Sequence, residues 1–326
     1  ARLVHSLLKY SQKPLIGIAA TEDEVATTFA ILEMAFGCKG FLEEHVAIAY
    51  GVNPSSPLCF DASTCETMLA YAMKKQALFV LPAIMAGLSG PLDLWGTAVL
   101  SNAENLAGLI CAQLIRPGTP VVYSTGSLMV NMHNGYVITG SPQANLINVA
   151  GLQMAREHYD LPSRTMAGLT DAKVPDFQAG AETMQNLIVS TLAGANVMNE
   201  TLGVLDSIMA TSFEKWMLDE ELLDRMRCLS LGLEQMSATN SLSAIQEVGS
   251  GGDFMSHEST LDHCRSIWMP NLSVWSSYLQ WAKQPEQDLL KKARGRLSSI
   301  LETQQTPCLD AAVDTAIAEY LERGLQ

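Results

Sequence analysis

The densest set of polar side chains able to do chemistry lies in Gly168-Leu-Thr-Asp-Ala-Lys-Val-Pro-Asp-Phe-Gln-Ala-Gly180. An apolar strand ending at Ala167 would place Thr170, Asp171 and Lys173 just beyond its C-terminal end, and would leave Asp176 to cap the next helix. The same residues also read as a capped turn carrying a solvated lysine. Asn199-Glu200 follows the apolar run Ala195–Met198 in the same way. A carboxylate there is costly to bury unless a cation or donors meet it, so Glu200 reads either as the partner of a cationic ligand or as half of a rim salt bridge. Asp171, Asn199 and Glu200 are therefore the candidate catalytic residues.

Further along, Glu247-Val-Gly-Ser-Gly-Gly-Asp-Phe-Met-Ser-His257 is glycine-rich. Gly251, Gly252 and Asp253 suit close approach to a phosphate or a flat cofactor, or else a flexible loop before a helix. The run is neither a dinucleotide fingerprint nor a Walker loop. Tyr50, Trp95, Tyr123, Phe177, Trp268 and Trp275 are the aromatics nearest strand ends or loops. An aromatic face attracts a quaternary ammonium group by about 0.5–2 kcal/mol per ring. Two or three of the six are expected to line a site and the rest to be core. His257, His263 and Cys264 do not have zinc spacing, and no G-x-S-x-G elbow occurs, so neither a metal site nor a serine hydrolase is expected.

The elements that position these residues repeat. Short apolar runs at Pro14–Thr21, Val46–Asn53, Ala77–Ala83, Pro120–Gly126, Arg164–Asp171 and Ala195–Glu200 each end in turn residues and lead into an amphipathic stretch. Continuous apolar strands joined by helical crossovers predict a parallel sheet of (β/α) barrel type, with its chemistry in the loops after the strands. Helices are expected over Glu22–Phe36, Ala62–Lys75, Asn102–Leu114, Gln143–Tyr159, Phe177–Ala193 and Ser212–Gly232. Asp61 and Ser141-Pro142 supply N-terminal caps. Ser241 to Asp253 reads as a weak seventh strand. Eight strands close a barrel, so the count predicts a TIM barrel lacking its first strand or two here, or a smaller open sheet. One domain is expected, with βα repeats over residues 1–253 and a helical extension over 254–326 in which Glu258–Trp268, Glu286–Thr303 and Ala311–Arg323 are helical.

Composition limits the function. The 326 residues are 48% hydrophobic and 17% charged, with a net charge of −14. Phosphate backbones need clusters of Lys and Arg, so no nucleic-acid partner is expected. Seven scattered Cys without a CxxC pair suggest reduced thiols and a cytoplasmic location. Neither a signal peptide nor a membrane-spanning run is read in the chain. An assembly of identical copies is compatible with this composition.

Taken together, Pro14-Leu-Ile-Gly, the Gly168–Gly180 stretch, Ala195-Asn-Val-Met-Asn-Glu-Thr-Leu-Gly203, Ser212-Phe-Glu-Lys-Trp-Met-Leu-Asp-Glu220 and Gly251-Gly-Asp-Phe with Trp268-Met-Pro270 resemble the trimethylamine methyltransferase superfamily of corrinoid-dependent enzymes. The resemblance runs in order over nearly the whole chain. It implies a TIM barrel that moves a methyl group from a methylated amine to the Co(I) centre of a separate corrinoid protein, with no metal held by this chain. Founding members carry pyrrolysine, which is absent here, so the resemblance is to the glycine betaine type acting on quaternary amines. A quaternary donor leaves as a neutral amine and needs no proton donor. On that reading Tyr50, Asn53, Tyr123 and Trp268 bind the substrate and Glu200 meets its charge. Two other readings stay open: a barrel lyase or isomerase using Lys173 as a Schiff base, and a non-catalytic homologue that binds a betaine or a corrinoid protein.

Overall fold

The structure is a computed structural model that describes residues 1–17, 21–235, 241–303 and 306–323. Six strands form one sheet: β1 (Leu15–Gly17), β2 (Ile48–Val52), β3 (Ala77–Val80), β4 (Val121–Thr125), β5 (Ser163–Met166) and β6 (Val197–Asn199). They neighbour one another in chain order, and every pairing is parallel. The sheet curls into a half-barrel with β1 and β6 at its edges.

Helices Glu22–Ala35, Ala62–Met73, Leu94–Ile115, Pro142–Gln153, Phe177–Leu192 and Phe213–Ser230 make the crossovers and the outer layer. Local chemistry sets their starts. Asp61 accepts from Thr64 N–H, Asp176 from Ala179 N–H, and Ser141 from Gln143 N–H with Pro142 in the first turn. The third helix begins at Leu94, well before the expected Asn102, because Asp93 accepts from Gly96 N–H. This helix is long and apolar enough to cross a membrane by composition. Its Asn105 is instead committed to the sheet, exchanging hydrogen bonds with the Ser124 backbone. A single π-helical turn, Met154–His158, ends the fourth crossover.

The expected seventh strand is a helix, Ser241–Val248. Leu242, Ile245 and Val248 recur every third residue, which is helical spacing, and Gly249 stops the helix in the left-handed region at φ +67°. Five short strands among the described residues have no counterpart in the sequence reading, and two of them, Val204–Leu205 and Ala210–Thr211, pair antiparallel in the loop after β6. The other three, Met85–Ala86, Leu128–Val130 and Val137–Ile138, pair as a second sheet in the loops after β3 and β4. Leu128 packs with Met166 and Leu169, so this small sheet rests on the end of β5.

The tail turns back on the start of the chain. Ile317 of helix Ala311–Arg323 shares a buried cluster with Val4, Leu8, Ile31 and Leu42. Asp314 accepts from Lys9 Nζ at 2.7 Å and lies 2.7 Å from His5 Nε2. Helix Leu289–Glu302 lies along Phe213–Ser230 through the ion pairs Arg294–Glu214 and Arg296–Glu220.

Candidate functional site

Strand alternation decides which side chains face the interior of the half-barrel. Tyr123 and Thr125 face the helices, since Tyr123 Oη donates to Asn102 Oδ1 and Thr125 meets Gly151. Thr165 bonds Thr125 and shares that side. Ser124 and Arg164, side by side in register, therefore face inward. Phe79 does too, lying between helix-facing Leu78 and Val80, with its ring over Gly51 where any β-carbon would clash.

Arg164 is the centre of this inner wall. Its Nε donates to Asn199 Oδ1 at 2.9 Å, and Nη2 donates to both Glu200 oxygens at 3.2 and 3.0 Å. Its guanidinium carbon lies 5.4 Å from the centre of the Phe79 ring. The Arg164 side chain is 3% exposed and that of Glu200 33%. Burial is the main influence on both groups: it raises the Glu200 carboxyl above its ordinary value and lowers the Arg164 guanidinium, while their mutual attraction opposes each shift. Glu200 also holds φ at +48°, an uncommon conformation for a residue with a β-carbon. Gly168 permits the arrangement, because a β-carbon there would lie 2.4 Å from the Glu200 carbonyl oxygen.

Asp171 ties three loops together. Its carboxylate accepts from Thr139 N–H at 2.8 Å, Thr139 Oγ1 at 3.0 Å, Gly140 N–H at 3.0 Å and the Ser207 hydroxyl. Glu182 completes the knot, accepting from Thr170 Oγ1 at 2.6 Å, Asp171 N–H at 2.7 Å and Gln178 Nε2 at 2.9 Å. Residues Asp206, Ser207 and Ile208 all have positive φ, and Ser207 N–H donates to the Thr170 carbonyl. Lys173 is an exposed ammonium 2.8 Å from Asp206 and 4.6 Å from the Tyr136 ring centre. The Asp206 hydrogen bond, above all, holds it above its ordinary value. A Schiff-base lysine is held in a desolvated pocket, whereas Lys173 is exposed and paired with Asp206, which disfavours the lyase reading.

The sequence-derived candidates thus separate. Asn199 and Glu200 meet at Arg164, and Asp171 lies in the adjoining loop knot. Asn53 is exposed in the loop after β2. Tyr50 stacks on Tyr71 at 4.8 Å, and Tyr123 is fully buried under helix Leu94–Ile115, so both rings lie on the helix side of the sheet. Trp268 sits in the C-terminal region, 5.3 Å from Trp275, with Arg225 over both rings. Gly251 and Asp253 are exposed, and a β-carbon on Gly252 would meet the Val248 carbonyl, so this turn closes on its own helix. His257 caps helix Glu258–His263. Among the described residues, no group of three His, Cys, Asp or Glu side chains is placed to hold a metal. Arg164 and Phe79 were the residues missed. The available signal was an arginine inside an apolar strand, which must find a partner.

Parallel strands taken in chain order, helices outside, and polar side chains gathered at the strands' C-terminal ends define a partial (β/α) barrel of the enzyme type. The chain belongs to the trimethylamine methyltransferase family, whose model matches residues 2–325. It is 34% identical over 325 residues to the glycine betaine methyltransferase of Desulfitobacterium hafniense (strain Y51), covering 99% of this chain and 67% of that protein. It is 32% identical to the trimethylamine methyltransferase of Methanosarcina thermophila over 260 residues, 80% of this chain and 53% of that one. The proline betaine:corrinoid methyltransferase of Eubacterium limosum is 30% identical over 272 residues, 81% and 56% of the two chains. The chain thus spans between about half and two thirds of the length of these relatives.

Proposed function

We propose that this protein transfers a methyl group from a quaternary, betaine-like amine to the Co(I) corrinoid of a separate protein, within a (β/α) barrel of which this chain forms the greater part. The observation that carries the reading is the similarity to a glycine betaine methyltransferase along 99% of the chain. The corrinoid supplies the nucleophile; the chain's own residues bind and orient the donor and keep water away. A quaternary donor releases a neutral amine, so the site needs no acid to protonate the leaving group. Glu200, partly exposed beside the inner wall, is suited to stabilise a cation and to release it as the charge disappears.

Delivery of the corrinoid on a partner fits the loop surface. Leu88, Trp95, Met132, Phe177, Met209 and Phe213 are exposed large apolar side chains in the segments that follow β3 to β6. Asp171 and Glu182 keep the segments after β4, β5 and β6 in one arrangement, which is a positioning role.

The test is methyl transfer to Co(I) cobalamin, read from the cobalamin spectrum. Glycine betaine or proline betaine is expected to support it, and the demethylated tertiary amine is not. Equal or faster transfer from the tertiary amine would show that the cation is not what the site recognises.

A further inference from the structure

Arg164 carries more donors than the described residues satisfy. Nε is taken by Asn199 and Nη2 by Glu200, yet Nη1 is buried with no hydrogen-bond partner among the described residues. Ser124 lies next to Arg164 in register on the same inward face, and its hydroxyl is also buried without a partner. Buried polar groups are rarely left unpaired, and an unpaired donor on a charged group is the costlier case. Two such groups abreast, on adjacent strands, mark a place for an acceptor from outside the chain. A guanidinium edge beside a hydroxyl matches a carboxylate in geometry and charge.

Glu200 stands on the other side of the guanidinium. Both of its oxygens engage Nη2, but the side chain is one-third exposed and a carboxylate has further lone pairs to offer. The inner wall therefore presents a positive and a negative group close together. Its complement is a small zwitterion, with an anion toward Arg164 and a cation toward Glu200.

Resting on the proposed methyl transfer from a quaternary amine, we propose that Arg164 Nη1 and the Ser124 hydroxyl bind the carboxylate of a betaine and so select zwitterionic donors over simple amines. Phe79 and Asn199 hold the guanidinium for this contact. Trimethylamine and choline offer no anion and leave both donors unpaired.

Calorimetric binding of glycine betaine and of its methyl ester tests this, since the ester keeps the cation and removes the carboxylate charge. The unaltered protein is expected to prefer the betaine by about tenfold or more, as befits a charge-assisted hydrogen bond. Arg164→Lys and Arg164→Gln should abolish that preference, and Ser124→Ala, which removes no charge, should reduce it. Equal affinity for betaine and ester, or no binding of either, overturns the proposal. So does an unchanged betaine-to-ester ratio in both Ser124→Ala and Arg164→Lys. The two readings fail separately. Equal methyl transfer from betaine and ester would remove the carboxylate anchor and leave the methyltransferase. Carboxylate-dependent binding with no transfer to Co(I) from any quaternary amine would do the reverse.

Discussion

At the scale of single residues, the Arg164–Glu200 pair is governed by burial as much as by attraction. Burial raises the Glu200 carboxyl despite the guanidinium 3.0 Å away, so the charged carboxylate gains less from Arg164 than it loses to desolvation. Charge and hydrogen bonding at this position are therefore separable. Glu200→Gln keeps an acceptor for Nη2 while removing the counter-charge of the buried guanidinium, and should cost less unfolding free energy than truncation to Ala. Glu200→Ala leaves Nη2 as bare as Nη1 and should cost about 2–3 kcal/mol. Urea unfolding of the two variants checks this, and a larger loss for Gln than for Ala would sink it. The candidate site was partly legible in the sequence at this scale. Asn199 and Glu200 were readable because a polar pair ending an apolar strand needs partners. Arg164 was overlooked inside the same kind of strand, although its burial raises the same question. The aromatic candidates followed strand position without strand parity. Tyr50 and Tyr123 have the parity of the helix-facing residues, and their rings went under the helices.

At the scale of elements, what could be read was whatever is encoded locally. Asp61, Ser141 and Asp176 start their helices as their types and neighbours predict. The small sheet of Met85–Ala86, Leu128–Val130 and Val137–Ile138 was not readable, because strands so short have no periodicity and exist through tertiary pairing and contact with Met166. Ser241–Val248 was misread because the glycines after it looked like the end of a strand, whereas they end a helix. Asp171 is the chief clamp on this loop layer. Asp171→Ala strands the Thr139 and Gly140 N–H groups and releases Ser207, at an expected cost of about 3 kcal/mol. Hydrogen exchange should rise at Val137–Gly140 and around Ser207, with Ala62–Met73 unaffected; uniform loss of protection would argue against a local clamp. Gly168→Ala acts on the neighbouring contact. Its β-carbon would meet the Glu200 and Thr201 backbone, which no rotamer change relieves, so a loss of at least about 2 kcal/mol is expected. A thermal midpoint equal to that of the unaltered protein would show that the two loops separate freely.

At the scale of the whole molecule, two sets of carboxyl groups pull the pH dependence of stability in opposite directions. Glu200 and Asp219 are buried, and burial raises both above their ordinary values. Asp219 lies 2.6 Å from Lys215 and accepts from Gly203 N–H, tying the loop after β6 to helix Phe213–Ser230. For these groups the folded chain holds protons that the unfolded chain has released. They therefore favour the folded state as pH falls from neutral toward the ordinary carboxylate range. Asp314, which holds the first and last helices together, is lowered first by its hydrogen bond from Lys9 and then by that from His5. Glu221 is also lowered: hydrogen bonds from Ser273, Leu272 and Arg225 outweigh its burial. Their stabilisation is complete above the ordinary carboxylate range and disappears as pH falls through their lower folded values. Stability should therefore rise as pH falls from neutrality toward the ordinary carboxylate range and drop below that range. A net charge of −14 reinforces the neutral-side slope, since partial protonation relieves self-repulsion. Urea midpoints measured from about pH 3 to pH 8 trace this curve. Glu200→Gln cannot titrate at that position and should flatten the slope between neutrality and the maximum. Asp314→Asn should leave that slope intact and reduce the drop on the acid side, with earlier exchange in Arg2–Tyr10 and Ala311–Arg323. A midpoint that falls steadily from pH 8 to pH 3 in the unaltered protein would mean that the buried pairs are not raised.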